Sequence, residues 1–244
     1  MQSGTPVRPG RKRIAAILID YALRRHSDNL VTRLLEGYWI NDEFHPPGCE
    51  VASVYVHQSS QAFPDVSRRL AEAYGFRRCP SIRAALTLGT DALAVDGVVI
   101  VSEDGLTRWA QNPFFHFFSE VVDVFRKSGR SVPVFNDKAL SHDWDEAGWM
   151  VRQSRLLGFP LLAGSMTPVT FRRPELEFPL GTPLAEALVA CPISPPHVES
   201  YAFHGLELLQ AMLERRAGGE TGVRAVRHLA GDAVWAAAAA GEWP

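Results

Sequence analysis

Ionisable and hydrogen-bonding side chains recur just after each short apolar run of this 244-residue chain. Asp20, His26 and Asp28 follow the run at 14–19, and His57 follows the run at 51–56. Glu103 and Asp104 come after 95–101; Asn136, Asp137 and Lys138 after 132–135; Ser165 after 160–163. Histidine titrates near neutrality and burial lowers a lysine toward it, so these types suit proton transfer on a small polar molecule. His26, Asp28, His57, Glu103 and Asp137 also offer nitrogen and oxygen ligands for zinc, manganese or iron, although no HxH or HExxH spacing fixes two of them on one element. A plainer reading stands beside both, because loop ends are polar in any protein. Ser141 or Asp143 caps a helix beginning near Trp144, with Asp145 and Glu146 favourable in its first turn, and Asp28 has the same reading as a cap for the first helix.

The elements that must position these groups follow from periodicity. Apolar runs of strand length alternate with segments of helical period, the pattern of an α/β fold with a doubly wound, mainly parallel sheet. Strands are predicted over 14–19, 51–56, 95–101, 132–135 and 160–163, and helices over 29–39, 65–74, 81–88, 114–127 and 144–157. Gly129 and Gly158 act as stop signals for the last two helices. In such a sheet, ligands bind beyond the carboxyl ends of the strands, where the ionisable residues fall. The aromatic stretch 109–118, WAQNPFFHFF, reads as a helix face or subunit contact, with a lid over an apolar substrate as the alternative.

Three regions are expected: a basic flexible arm over 1–13, the α/β domain over 14–170, and a small helical or mixed appendage over 171–244. The last opens with the proline-rich connector RRPELEFPLGTP and continues with a helix over 200–216, an alternating run over 223–229 and an alanine-rich terminal helix. A formal net charge of −2 leaves no electrostatic footprint for nucleic acid. No apolar stretch approaches the roughly 20 residues needed to span a bilayer, and the run after Arg8, Arg11, Lys12 and Arg13 ends too early for a signal peptide. The three cysteines, Cys49, Cys79 and Cys191, show no CxxC spacing, which points to neither a zinc knuckle nor a disulfide framework. A cytoplasmic protein with a small-molecule substrate is expected.

The segment VDGVVIVSE, a helix, and then SVPVFNDKALSHDWDEAGWMVRQSRLLGFPLLAGSMTPVTFR resembles the nucleotide domain of the Gfo/Idh/MocA oxidoreductases, the glucose-fructose oxidoreductase and inositol dehydrogenase family. In that family a strand runs into Glu-Lys-Pro; here Asn136, Asp137, Lys138 and Ala139 stand at that place, keeping the lysine but not the proline. The resemblance covers roughly 14–170 and implies a Rossmann-like domain. A weaker echo lies in YAFHGLELLQAMLERR, where His204 matches the histidine that opens a helix in the family. The aspartate four residues earlier is Ser200 here, with Glu199 adjacent. The family's GxGxxG, and a histidine three residues past its last glycine, fall on Leu18, Asp20, Leu23 and His26. The histidine stays and each glycine is replaced.

Those replacements bear on the cofactor. The three glycines allow a tight turn, close approach to the pyrophosphate, and close packing of helix on strand. Leu23 would push the helix away, and Asp20 would set a carboxylate near a diphosphate, a repulsion on the order of several kcal/mol in a partly buried site. The ribose-binding acid at the end of the second strand is replaced by His57. The expectation is therefore an enzyme on a Gfo/Idh/MocA-like scaffold that has lost conventional NAD binding. It would do lyase, isomerase or epimerase chemistry on a small polar or sugar-derived metabolite. The resemblance implies that Lys138 and His204 face each other across the pocket, with His26 and Asp137 as further catalytic groups. Asp20, Asp28, His57, Glu103, Asn136 and Glu199 would bind substrate. The alternatives are an NAD(P)-dependent oxidoreductase with a degenerate phosphate loop, a metal-dependent enzyme, and a non-catalytic binding or scaffold protein. Because the appendage is too short for the family's large mixed sheet, the substrate wall would come from a reduced cap or a neighbouring subunit, and a homo-oligomer is expected.

Overall fold

The computed structural model describes residues 10–57, 64–102, 113–193 and 198–242. They form two compact units, one ending at Met166 and the other beginning at Thr167.

The first unit is built on β1 (Lys12–Leu18), which is buried along its length from Ala15 onward. Such a strand needs a layer over each face, which crossover helices between parallel neighbours supply. β1 pairs in parallel with β4 (Cys49–Val56) on one side and β6 (Gly97–Val101) on the other. The sheet continues outward through β5 (Arg77–Cys79) beyond β4, and through β7 (Val134–Asp137) and β8 (Leu161–Gly164) beyond β6. The six strands thus run in the order β5-β4-β1-β6-β7-β8. Counted within the sheet this is 3-2-1-4-5-6, the order of a dinucleotide-binding Rossmann sheet. Its switch point lies between β1 and β6.

Alternate residues of β1 feed two separate cores. Ala15, Ile17 and Ile19 join the layer made by α3 (Ile82–Thr87), α4 (Pro113–Ser128) and α5 (Trp144–Leu157), with Phe117, Phe118, Phe125 and Met150 fully buried there. Ala16 and Leu18 face Val31, Leu70 and Phe76 on the other side, the layer of α2 (Ser67–Tyr74). The buried Phe114, Phe117 and Phe118 make the described part of the aromatic stretch a packed helix face; 103–112 lies outside the described residues.

The helix stops and caps act as their chemistry requires. Asp143 accepts from the Glu146 amide at 2.9 Å, Ser141 donates to Glu146 at 2.6 Å, and Gly158 closes α5 in the left-handed region. Two features depart from the sequence reading. The first helix does not run to 39: a π-helical turn (Asp28–Thr32) leads into the short α1 (Arg33–Glu36), and an antiparallel hairpin follows, β2 (Tyr38–Ile40) and β3 (Glu43–His45). Asn41 and Asp42 both take positive φ, the requirement of a two-residue hairpin turn, and these residue types are the ones that tolerate it. The sequence signal was present but was outweighed by the apolar period upstream. β5 was also missed, because Arg77, Arg78 and Cys79 form an edge strand without an apolar run.

The second unit contains α6 (Val198–Leu213) and α7 (Asp232–Ala239) with irregular chain between them, and an isolated bridge ties Thr182, ahead of α6, to Arg216, just after it. The alternating run over 223–229 forms no strand and is exposed, since no neighbouring strand offers it a ladder. No described helix is long and apolar enough to cross a membrane.

The two-sided core predicts the effect of truncating a central ring. Phe118→Ala should lower stability by about 3–5 kcal/mol, the usual cost of a buried aromatic left as a cavity, read as a lower urea midpoint.

Candidate functional site

β1 ends at the switch point, but its pairing extends one step further: the Ile19 amide donates to Val101 and the His57 amide to Leu18, each at 2.8 Å. The chain then turns through Asp20 to Ser27. Asp20 is 6% exposed and fully engaged: Ser27 donates to one oxygen at 3.2 Å, and the Arg25 guanidinium holds the other at 3.0 Å. Arg24 takes φ 65, and its amide donates to Asp28 at 2.8 Å, while Thr32 donates to the other Asp28 oxygen at 2.7 Å. Asp28 therefore braces the turn from inside the helix. Ser27, not Asp28, occupies the cap position and makes no side-chain cap bond. Leu23 corrects a second expectation: at 58% exposed it points to solvent and does not wedge helix from strand.

His26 leaves this turn and meets Asp137 at the end of β7, Nδ1 to Oδ2 at 2.8 Å. β1 and β7 flank β6, so their axes lie about 10 Å apart. The turn must arch over the end of β6 to make this bond. A carboxylate only accepts, so Nδ1 carries the proton of this bond. Asp137 is buried, whereas the His26 side chain is 43% exposed. Lys138 follows, buried, with φ 62 and its amide bonded to Gly164 at 3.0 Å. Asn136 is fully buried; its amide group donates to the Ala139 carbonyl at 2.8 Å, and its Oδ1 has no hydrogen-bond partner among the described residues. Ser102 Oγ, just past β6, is buried in the same condition.

His57, at the end of β4, has the Tyr55 hydroxyl 2.9 Å from its Nδ1 and packs on Phe117. Burial, then the nearby His116, lowers its pKa below the ordinary value of 6.5. Burial is also the main cause that raises the Tyr55 phenol.

The structure thus brings His26, Asp137, Asp20 and Asp28 into one loop system and sets Lys138 and Asn136 at the same strand end. His57 belongs to the β4 end with Tyr55. Glu103 and Asp104 lie outside the described residues, as does the side chain of Glu199, whose backbone is in α6. His204 belongs to the second unit, where its Nδ1 is 3.2 Å from Glu207 and 3.3 Å from the Thr167 hydroxyl. Sequence reasoning missed Arg25, Tyr55 and Glu207. Only Arg25 carried a signal, as a cation beside two site acids. Among the described residues no three His, Cys, Asp or Glu side chains gather as metal ligands.

A diphosphate would need open backbone donors at the first turn and no opposing carboxylate. Here the Arg24 amide is taken by Asp28, the Arg25 amide bonds Ala22 at 3.2 Å, and the Asp20 carboxylate is held by Arg25 and Ser27. Two of the backbone donors of this turn are therefore already committed within it.

Strand order and layers define a Rossmann-like α/β domain, with its polar site at the switch point. No family profile and no curated protein matches the chain. Solved structures do. One is myo-inositol 2-dehydrogenase from Lactobacillus plantarum, at 16% identity and TM-score 0.43, covering 66% of this chain and 38% of that one. A Gfo/Idh/MocA family oxidoreductase from Vibrio cholerae matches at 19% and 0.42, covering 64% and 39%. The WlbA dehydrogenase from Bordetella pertussis, solved with NADH and UDP-GlcNAcA, matches at 18% and 0.42, covering 65% and 36%. This chain therefore spans well under half the length of each. The family that the sequence resembles is among those whose structures are similar to it.

Two measurements probe the site electrostatics. Arg25→Met strands a buried carboxylate, whereas Asp20→Asn removes the charge with its shape kept. Urea denaturation should therefore find Arg25→Met the more destabilising, by about 3 kcal/mol or more against wild type. His57 has a folded pKa below its unfolded one, so the stability linked to it is present above pH 6.5 and lost as pH falls below that value. Replacing it by Gln should flatten the fall in thermal midpoint on the acid side of pH 6.5.

Proposed function

We propose that the first unit is an acid–base catalyst in which His26 is the general base, acting without a dinucleotide on a small polar metabolite that carries a carbonyl group. The observation that carries this reading is the His26–Asp137 bond: a buried carboxylate fixes the tautomer and orientation of a solvent-reachable imidazole. In this reading Nε2 is the acceptor, and the carboxylate would stabilise the imidazolium formed when it takes a proton. In the proposed step Nε2 removes a proton from the carbon next to the carbonyl, and the electron pair moves onto oxygen as an enolate. In an isomerisation of a hydroxycarbonyl compound, the neighbouring hydroxyl passes its proton to the enolate oxygen and the imidazolium then protonates the former carbonyl carbon, as the new carbonyl forms at the carbon that lost the first proton; in an elimination, the enolate pair re-forms the carbonyl and the double bond shifts as the bond to a β-oxygen breaks, and the imidazolium protonates that departing oxygen. Lys138, buried at the same strand end, would supply positive charge for the enolate oxygen. The internally bonded turn at Asp20 supports a reading in which the strand ends take the metabolite directly.

The second reading is an NAD(P)-dependent oxidoreductase, favoured by the strand order alone. One set of measurements separates the two. Tryptophan fluorescence titrated with NADH and NADPH should show no saturable change, and tight binding would overturn the proposal. Incubating the protein in D2O with a panel of small hydroxyaldehydes and hydroxyketones, followed by proton NMR, should reveal loss of the signal next to the carbonyl. His26→Gln should slow that exchange by about 100-fold or more, the usual contribution of a positioned base, and Asp137→Asn by a smaller factor. Unchanged exchange in a folded His26→Gln variant would reject the assignment.

A further inference from the structure

The hairpin of β2 and β3 forms a small sheet of its own and pairs with no strand of the six-stranded one. Strand alternation puts Trp39 and Phe44 on one of its faces, and Tyr38, Ile40, Glu43 and His45 on the other. Trp39 is 68% exposed, and Tyr38, Ile40 and Phe44 are exposed as well. The Trp39 and Phe44 rings lie 5.3 Å apart between centroids, and Tyr38 stacks on His45 at 5.2 Å. An isolated two-stranded hairpin is marginal in water, and contiguous exposed apolar side chains mark an interaction surface.

The ladder also fixes which backbone groups face outward. In a hairpin closed by two residues, the flanking pair exchanges the backbone bonds, here Ile40 and Glu43, and the next pair turns its amides and carbonyls away from the ladder. That next pair is Trp39 and Phe44. On the β3 side the Phe44 amide and carbonyl thus point out of the hairpin, and among the described residues neither is bonded from another element. A strand that pairs there supplies one acceptor and one donor.

We propose that this edge is a homodimer contact, in which β3 of one protomer pairs antiparallel with β3 of its partner about a two-fold axis beside Phe44. The self-complementarity of the three residues carries the proposal. Two-fold pairing about Phe44 joins the two Phe44 backbones by reciprocal bonds and sets Glu43 opposite the partner's His45, a carboxylate against an imidazole, twice over. The β2 edge offers no such match, because the same symmetry about Trp39 would set Tyr38 against Ile40. Pro46 has no amide to lengthen the ladder, which confines the pairing to β3. The product is a four-stranded sheet with Trp39 and Phe44 of both protomers in one row, so that exposed rings cover one another. The hairpin leads into the amino end of β4, away from the carboxyl edge that carries the His26–Asp137 dyad, and the contact is independent of the reaction proposed there.

Sedimentation velocity on the full chain, from low micromolar to millimolar concentration, tests it. A reversible monomer–dimer equilibrium is expected. Glu43→Lys and His45→Glu should each weaken the dimer about tenfold, and the double variant should recover to within about threefold of wild type, because it restores opposite charges across the axis. Both positions are at the hairpin surface, and circular dichroism confirms that the variants fold. A chain that stays monomeric throughout, a dimer that neither single variant weakens, or a double variant as weak as the singles would each overturn the proposal. A monomer that instead sediments with phosphatidylcholine vesicles, and loses that binding with Trp39→Ser, would also overturn it and give the hairpin to a membrane surface.

Discussion

The two-sided burial of β1 is the constraint from which the first unit follows. A strand with no solvent-facing side needs layers over both faces, and here crossover helices supply them and leave its partners on both edges parallel. Parallel strands place all their carboxyl ends on one edge of the sheet. The turn after β1, Tyr55 and His57 on β4, Ser102 after β6, and Asn136 to Lys138 on β7 thereby come to the same edge. The residues need no interaction with one another to be gathered there.

What distinguishes this edge is the way its buried charges are settled. Asp20 is held by Arg25 and Ser27, and Asp28 by the Arg24 amide and Thr32, so the acids of the first turn are satisfied within the turn. Asp137 differs. Its partner comes from 111 positions away, and that partner is a titratable imidazole with access to solvent. Fixed cations make structure, whereas an imidazole held at one nitrogen keeps the other available for a proton. The chemical distinction between Asp20 and Asp137 is therefore one of partners and not of burial, since both are nearly enclosed.

Much of the first unit could be read from residue order. The runs ending at Ile19, Val56 and Val101, the Asp143 cap and the Gly158 stop mark their elements because each depends on local pattern or local backbone geometry. The hairpin at Asn41–Asp42 and the edge strand at Arg77–Cys79 did not show, since one follows an apolar segment with helical period and the other lacks an apolar run. Leu23 was misjudged for a different reason. The packing role of the third fingerprint glycine presumes that a helix begins at that point, whereas the turn here runs on to Ser27.

The residue types at the strand ends, and the absence of glycine at positions 18, 20 and 23, were properties of the sequence alone, as was the alternation that commits the chain to a parallel α/β sheet. Which side chains meet was decided by the tertiary structure. His26 lies in a stretch of alternating acids and bases, and nothing local prefers Asp137 to Asp20 or Asp28 as its partner. The choice comes from the arch of the turn over the end of β6, a distance set by sheet spacing and strand order. Local pattern specifies elements because backbone hydrogen bonding and side-chain period act over a few residues. A site joins residues from different elements, and its geometry follows from how those elements pack.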